Sequence, residues 1–120
     1  MAKLLVIDDE TATVEMLSTY LQLKGYETAG AYTGQDGLVI ARREQPALII
    51  LDLMMPFMDG YDVCRQIRSD PSLKDLPIVI VSARTDQKSI DRAMAAGANA
   101  YLTKPLDFSQ LIAHISQLIS

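Results

Sequence analysis

The sequence predicts an α/β fold in three layers, with helices on both faces of a doubly wound, five-stranded parallel sheet. Five short apolar segments alternate along the 120 residues with five segments of helical periodicity. Three of the apolar segments are continuously apolar, which is typical of strands that are buried on both faces of a parallel sheet. Because the connections are short, consecutive segments are expected to pack as repeated βα units. Periodicity alone leaves the order of the strands open.

The predicted strands differ in polarity. The first, third and fourth are the continuously apolar ones, and the fifth is short. The second carries more polar residues, as a strand at the edge of a sheet can. In chain order, the predicted strands cover residues 3–7, 26–31, 48–51, 77–81 and 99–103.

The helices are predicted from apolar residues at helical spacing and from residues that start or stop a helix. The first helix repeats Val14, Leu17 and Leu21. It ends at Lys24-Gly25, because a basic residue followed by glycine is a common helix C-terminus. The remaining start and stop signals are Thr33 and Pro46 for the second helix, Asp59 and Pro71 for the third, Asp86 and Gly97 for the fourth, and Asp107 and Ser120 for the fifth, whose apolar stripe is Phe108, Leu111, Ile112, Ile115 and Ile119.

Composition limits the classes of protein to consider. With 49% hydrophobic residues, the chain is expected to form one domain, residues 1–120, that buries its own core. The net charge of -4 argues against direct nucleic-acid binding, since no basic cluster is present to neutralise phosphates. The apolar run near the N-terminus is too short for a signal peptide or a membrane span. Its single cysteine, Cys64, cannot form an internal disulfide, which favours a cytoplasmic location.

Polar side chains capable of chemistry follow the predicted strands where these end. Asp8 and Asp9 follow the first strand, Asp52 the third and Ser82 the fourth, and Lys104 comes just past the fifth. Ligands of open parallel sheets bind outside the carboxyl ends of the strands, so these residues are expected to converge on one small pocket. Without a cation, the carboxylates would repel one another and raise at least one pKa. Hard oxygen ligands of this kind predict a Mg²⁺ site.

One aspartate of this pocket can accept a phosphoryl group. Asp52 would attack the phosphorus in line, since the cation neutralises charge on the incoming group. Lys104 would supply a positive charge for one phosphate oxygen, and Ser82 a hydroxyl donor for another. Phosphoryl transfer requires mainly such positioning and charge neutralisation. The sequence therefore predicts a magnesium-dependent phosphoryl acceptor.

Each of these residues has a simpler interpretation when taken alone. Asp8 and Asp9 precede a helix and can be N-caps. Asp52 or Ser82 can belong to an ordinary turn, and Lys104 can be a solvated loop residue. The combination favours a site, because separate strand ends rarely carry complementary chemistry by accident.

Other reactive side chains are expected to have structural roles. Cys64 lies on an apolar helix face and is predicted to be unreactive core. Met54 and Met55 are predicted to pack as apolar loop residues. His114, the only histidine, has no second ligand nearby in sequence and is predicted to lie at the surface or in an interface.

Four motifs together point to a known family. They are VIDDE at residues 6–10, LDLMMP at 51–56 with MDG at 58–60, VSA at 81–83, and YLTKP at 101–105. In these motifs the chain resembles the receiver domains of two-component response regulators, the family of the chemotaxis regulator, over essentially its whole length. The resemblance implies a flavodoxin-like fold with strand order 2-1-3-4-5 and a cis peptide bond between Lys104 and Pro105.

The resemblance also implies a role for each site residue. Asp52 would receive a phosphoryl group from a phosphohistidine on a sensor histidine kinase or phosphotransfer protein. Asp9, Asp52 and the backbone carbonyl of Met54 would bind Mg²⁺, with Asp8 held just behind them. Ala83 matches the small residue that leaves room for the phosphoryl group. Such a domain is a phosphoacceptor that assists its own phosphorylation and autodephosphorylation, and is not a turnover enzyme.

The same resemblance implies a conformational switch. The phosphoryl oxygens would draw Ser82 inward, and Tyr101 would follow from an outward to an inward position. This movement would remodel a face made by the fourth helix, fifth strand and fifth helix, through which a downstream protein or an attached output domain is controlled. Met54 and Arg84 would tune the rate of acyl phosphate hydrolysis. The chain is either a complete regulator or a piece of a longer one.

The residues argue against two other functions and leave a third open. A haloacid-dehalogenase-like phosphatase needs a second aspartate two positions after the nucleophile, where this chain has Met54. A flavodoxin-like cofactor binder needs a phosphate-cradling loop after the first strand, where this chain has the acidic residues 8–10. A phosphorylation-independent docking or dimerisation module stays the main alternative, although every expected site residue is present.

Overall fold

The structure, a computed structural model, describes residues 2–119. Strands and helices alternate through this range in the order β1 (Lys3–Ile7), α1 (Thr11–Leu23), β2 (Glu27–Ala31), α2 (Gly34–Glu44), β3 (Leu48–Leu51), α3 (Gly60–Ser69), β4 (Ile78–Ser82), α4 (Gln87–Ala96), β5 (Ala100–Thr103) and α5 (Phe108–Ile119). Met1 and Ser120, the ends of the predicted domain, lie outside the described residues, and so does the predicted end of the fifth helix at Ser120.

All strands pair in parallel, in the order β2-β1-β3-β4-β5. This confirms the doubly wound sheet and the strand order that the resemblance implied. In register, Ile7 of β1 lies beside Leu51 of β3, and Leu51 lies beside Ile80 of β4. The residues that follow β1 and β3 therefore leave the sheet side by side, at the point where the chain winds in opposite directions.

Two apolar layers, one on each face of the sheet, form the core. Along β1, Leu5 and Ile7 point to one layer, while Leu4 and Val6 point to the other, as the period of a strand requires. Helices α2, α3 and α4 cover the first layer, and α1 and α5 cover the second. This arrangement confirms the predicted three-layer α/β/α sandwich.

Local capping explains why several helices begin where the sequence predicts. The side chains of Thr33, Asp59 and Asp86 accept hydrogen bonds from backbone N–H groups in the first turns of α2, α3 and α4. Asp107 does the same for α5, accepting from Gln110 at 3.2 Å. The exception is α1, whose N-cap residue makes no side-chain cap bond. The N-cap residue of α1 is Glu10, so neither Asp8 nor Asp9 is the N-cap that the simpler interpretation allowed.

Four predicted strand boundaries, on three strands, are wrong by one residue. β2 begins at Glu27, not at residue 26. β4 runs from Ile78 to Ser82 because Pro77 has no N–H for the ladder, whereas Ser82 pairs with Thr103 of β5. β5 begins at Ala100, not at Asn99. The side-chain oxygen of Asn99 accepts a hydrogen bond from the Ile78 N–H at 2.8 Å. Ser82 is thus the last residue of its strand.

The residues expected to be structural are mostly confirmed as such. Cys64 is fully buried, and burial raises the pKa of its thiol to about 11. His114 lies half-buried at the surface of α5. Met55 is buried, but the prediction that Met54 packs in the loop is wrong, because half of its side chain is exposed. No helix among residues 2–119 is long and apolar enough to cross a membrane.

Candidate phosphoacceptor site

Three carboxylates meet at the carboxyl ends of β1 and β3. One oxygen each from Asp8, Asp9 and Asp52 lies within 4.8 Å of the other two. Asp8 and Asp52 are buried, with 3% and 6% of their surface exposed, whereas Asp9 is exposed. The sequence prediction of a converging acidic cluster is confirmed. The cluster opens to solvent on the side of Asp9.

Backbone groups orient the two buried carboxylates. Asp8 accepts a hydrogen bond at Oδ1 from the Glu10 N–H at 2.9 Å. Asp52 accepts one at Oδ1 from the Met54 N–H at 3.3 Å. In each case the bond comes from the residue two positions later, so the turn that ends the strand also fixes the side chain.

Lys104 reaches the same cluster from the turn after β5. Its Nζ lies 3.3 Å from Asp8 Oδ2 and 3.9 Å from Asp52 Oδ2. The Glu10 carboxylate is a further 3.9 Å contact, which the sequence did not predict. The peptide bond between Lys104 and Pro105 is cis, as the resemblance implied. Lys104 therefore partly neutralises the acidic cluster, and it remains partly accessible.

The environment of Asp52 disfavours its charged form. Burial raises the pKa of the Asp52 carboxyl to about 6, and the negative charge of Asp8 contributes to the rise. Lys104 and the Met54 N–H act in the opposite direction without cancelling it. The expectation that at least one pKa in the cluster would be raised is confirmed, although burial contributes more than the repulsion between carboxylates on which that expectation was based. A bound cation would favour the charged form.

The donor set fits a hard divalent cation. Mg²⁺ binds carboxylate oxygens, often only one or two of them, and keeps several waters. Asp9 and Asp52 offer such oxygens next to solvent, and Asp8 lies close behind them under Lys104. Met54 adjoins Asp52, so its backbone also lies at the rim of this cluster.

Ser82 and Tyr101 are connected through the backbone of Arg84. Ser82 is fully buried, and its Oγ accepts a hydrogen bond from the Arg84 N–H at 3.1 Å. The Tyr101 hydroxyl donates to the Arg84 carbonyl oxygen at 2.8 Å. Burial raises the pKa of Tyr101, while its proximity to Ser82 acts in the opposite direction. The sequence analysis names Ser82 and Tyr101 as switch residues. No sequence pattern predicts that both would bond to the backbone of Arg84.

Gly60 has a role at the site that the sequence did not reveal. A Cβ atom at this position would lie 2.6 Å from the Asp52 carbonyl oxygen and 2.8 Å from Leu53 Cα. The Gly60 N–H also donates to the Leu53 carbonyl oxygen at 3.0 Å. The start of α3 thus packs directly on the backbone that carries Asp52. In the sequence this glycine stands out only as part of the MDG motif at residues 58–60, where the third helix starts.

The sequence model of the protein family described as the response regulator receiver domain matches residues 4–116 of this chain. The chain belongs to the response regulator receiver domain family. Its receiver domain is 38% identical over 117 residues to the response regulator PleD of Caulobacter vibrioides, a match that covers 98% of this chain and 26% of that protein. It is 35% identical over 119 residues to the DNA-binding dual master transcriptional regulator RpaA of Synechocystis, covering 99% of this chain and 49% of that protein.

Solved structures agree with this assignment. The chemotaxis protein CheY4 of Vibrio cholerae superposes with a TM-score of 0.92 at 30% identity, covering 98% of each chain. The receiver domain described here spans about a quarter of PleD and about half of RpaA. Receiver domains belong to two-component systems, bind Mg²⁺ at an acidic pocket and interact with histidine kinases or phosphotransfer proteins. They are generally signalling domains and not enzymes.

Proposed function

We propose that this receiver domain is a phosphorylation-dependent signalling switch that accepts a phosphoryl group on Asp52. The observation that carries the proposal is the convergence of buried Asp52 with Asp8, Asp9 and Lys104 at one edge of the sheet. Separate elements supply these groups, and Asp52 itself is hydrogen-bonded only lightly, through one backbone N–H at 3.3 Å. A buried carboxylate beside an ammonium group and further carboxylates suits a nucleophile better than a structural ion pair.

The chemistry is transfer of a phosphoryl group from a phosphohistidine. An Asp52 oxygen forms a bond to phosphorus while the bond from phosphorus to the donor nitrogen breaks, and the imidazole keeps the electron pair. Mg²⁺ would be held by Asp9, Asp52 and the Met54 carbonyl oxygen, with Asp8 behind, and would neutralise charge on the transferred group. Asp52 is oriented for the attack by the Met54 N–H.

Lys104 would exchange its present partners for a phosphoryl oxygen. Its Nζ is 3.3 Å from Asp8 and 3.9 Å from Asp52, contacts that are loose enough to be replaced. A quarter of its side chain is exposed, so the ammonium group can move within the rim of the pocket. An acyl phosphate on Asp52 adds negative charge at this position, and Lys104 is the cation next to it.

Ser82 and Tyr101 would report the phosphoryl group to the surface. A phosphoryl oxygen would accept a hydrogen bond from the Ser82 hydroxyl and draw it toward Asp52. Because Ser82 and Tyr101 both bond the Arg84 backbone, displacement of Ser82 would change the position of Tyr101. Tyr101 lies on β5, so the face that responds is made by α4, β5 and α5. Met54, which donates its N–H to Asp52, and Arg84, which donates its N–H to Ser82, would set the rate of autodephosphorylation.

The partners follow from this mechanism. A sensor histidine kinase or phosphotransfer protein would donate the phosphoryl group, and a downstream protein or an output domain would bind the face of α4, β5 and α5. With a net charge of -4, the domain itself would bind neither nucleic acid nor an anionic membrane surface. The proposed domain comprises residues 1–120, and its proposed location is the cytoplasm.

Intact mass spectrometry tests the acceptor role. Wild type and Asp52→Asn are incubated with Mg²⁺ and acetyl phosphate, with and without a chelator. The expected result is one labile phosphoryl adduct on wild type that is absent from the variant and from the chelated sample. A folded wild type that binds Mg²⁺ and gains no adduct would contradict the proposal. The phosphorylation-independent docking module would then be the better interpretation.

A further inference from the structure

Phe57 is a large aromatic residue that is fully exposed to solvent. Its relative exposure is 104%, compared with 81% for Leu23 and about half or less for the other exposed large hydrophobics among residues 2–119. Burial of a phenylalanine side chain stabilises a folded protein, but Phe57 is exposed and gives no such stabilisation. Any benefit of an aromatic side chain here must come from outside the chain.

The backbone at Phe57 is also in an unfavourable conformation. Its φ is 69°, in the left-handed region that favours glycine, and the Met58 N–H donates to the Pro56 carbonyl oxygen across it at 2.8 Å. These are the features of a tight turn of three residues, which is rare and strained. Gln45, the other positive-φ residue that is not glycine in the described range, ends α2 there. Phe57 ends no helix.

The loop nevertheless holds Phe57 in a defined place. On one side, Met58 packs so closely on the start of α2 that a Cβ at Gly34 would lie 3.0 Å from its Cγ. On the other, Asp59 and Asp62 form a reciprocal capping box at the start of α3. A residue whose backbone is held in place before binding loses less conformational freedom when a partner covers its side chain. Phe57 therefore has the properties of a preformed anchor.

The position of this loop indicates which partner would cover Phe57. The same loop begins at the acceptor, and Met54, half-exposed, donates its N–H to Asp52. A protein that brings phosphorus to Asp52 must approach over this edge of the sheet. The proposed output face is made by α4, β5 and α5, whereas Phe57 lies in the loop from β3 to α3, next to Met58 and the start of α2. The donor is thus the partner whose contact area is continuous with Phe57.

We propose that Phe57 is a docking anchor for the protein that donates the phosphoryl group, received in an apolar recess next to the donor's phosphohistidine. The exposed Met54 side chain would extend the same apolar contact toward Asp52. This inference rests on the proposed acceptor role of Asp52. Phe57 acts in recognition of the donor and takes no part in the transfer itself.

The test compares a protein donor with a small one. Wild type, Phe57→Asn, Phe57→Leu and Leu23→Asn are labelled by an autophosphorylated histidine kinase core and, separately, by acetyl phosphate. The core is chosen as the fastest donor to wild type among the purified kinases of the genome that encodes this chain. Asparagine tolerates the left-handed conformation without the apolar surface, and leucine keeps the surface. Leu23, exposed at the far end of α1, is the matched control.

The measured quantity is the initial rate with the kinase divided by the initial rate with acetyl phosphate. We expect Phe57→Asn to lower this ratio by about tenfold or more, the effect of truncating an aromatic anchor, with a smaller loss for Phe57→Leu and none for Leu23→Asn. An unchanged ratio for Phe57→Asn, an equal loss for Leu23→Asn, or labelling by acetyl phosphate with no competent kinase would each overturn the inference. If acetyl phosphate did not label wild type, the result would instead refute the proposed acceptor role of Asp52, on which this inference rests.

Discussion

At the scale of single residues, Asp52 shows that a buried carboxylate at the proposed acceptor position lowers the stability of the fold. Its carboxyl has a pKa of about 6 in the folded chain, against an ordinary value of 3.8. The folded state therefore holds the Asp52 proton more tightly than the unfolded state does. The unfolding free energy must fall as the pH rises from 3.8 toward 6, and the penalty is fully present above 6. From the size of the shift, the penalty is about 3 kcal/mol.

Asp52→Asn removes this penalty in the metal-free protein. With a chelator present at pH 7, we expect the variant to unfold with a free energy about 1–3 kcal/mol higher than that of wild type. The difference should vanish as the pH falls below 3.8, where Asp52 is protonated in the folded and the unfolded state alike. Urea denaturation at several pH values measures it. Glu15→Gln, at an exposed position on α1, is the control. A gain for Asp52→Asn that does not depend on pH would show that charge is not its cause.

Phe57 is a second residue whose local cost can be measured. Glycine normally lowers stability relative to alanine by about 0.5–1 kcal/mol, because it adds freedom to the unfolded chain. At a φ of 69° the order should reverse, since only glycine adopts this conformation without strain. We therefore expect Phe57→Gly to be more stable than Phe57→Ala in urea denaturation, by about 1 kcal/mol. The usual order, with Phe57→Ala the more stable, would mean that the turn is not strained.

At the scale of elements, Arg68 joins the ends of several of them. From the last turn of α3, its guanidinium donates to the carbonyl oxygen of Gly97 at 2.6 and 3.1 Å and to that of Leu76 at 2.7 Å. It also donates to the Lys74 carbonyl oxygen and to the Asn99 side chain. Arg68 thus ties α3 to the end of α4 and to the segments that enter β4 and β5. A planar guanidinium can make all these bonds at once, whereas an ammonium group cannot.

Arg68→Ala would break this junction and leave several carbonyl groups without a charged donor. We expect a loss of about 2–4 kcal/mol in the unfolding free energy, with Arg68→Lys recovering less than half of it. Arg65→Ala is the control, because Arg65 lies on the same helix and makes an exposed ion pair, a type of contact that contributes less than about 1 kcal/mol. If urea denaturation showed equal losses of unfolding free energy for Arg68→Ala and Arg65→Ala, the hydrogen bonds of Arg68 would not stabilise the fold as argued.

The same scale shows which features a sequence can reveal. The caps at Asp59 and Asp86 were predictable because they depend on hydrogen bonds within one turn. Asp52 and Lys104 were predictable as partners because the strand-end rule needs only an open sheet of parallel strands. Arg68 and its partner Gly97 are 29 residues apart in sequence, so no local sequence pattern predicts their hydrogen bond. The strand order required the family resemblance, since periodicity is the same for every order.

At the scale of the whole molecule, the acidic cluster connects distant parts of the chain. Lys104 and Asp8 are separated by 96 residues in sequence and lie 3.3 Å apart in the folded domain. Asp52 comes from a third strand end, between the other two in the sheet. No such arrangement of donors exists in the unfolded chain. A cation that binds the cluster must therefore stabilise the entire fold.

Magnesium should raise the melting temperature of the wild-type domain at pH 7.5. At one hundred times its Kd, the expected stabilisation is about 2.7 kcal/mol, provided that the unfolded chain does not bind. Asp9→Asn should remove most of the response, because it deletes the exposed donor of the cluster while leaving Asp8 under Lys104. Asp36→Asn, at an exposed carboxylate in the first turn of α2, should respond like wild type. Differential scanning calorimetry with and without Mg²⁺ measures each response.

The response should also depend on pH in a direction that the site fixes. A carboxylate must lose its proton to bind the cation, and the Asp52 carboxyl has a pKa of about 6 without metal. Stabilisation by Mg²⁺ should therefore be full above pH 7 and decline as the pH falls through 6. In Asp52→Asn this decline should be absent near pH 6, whatever affinity remains. If wild type and Asp52→Asn lost the response together over that interval, the cation would not be bound next to Asp52.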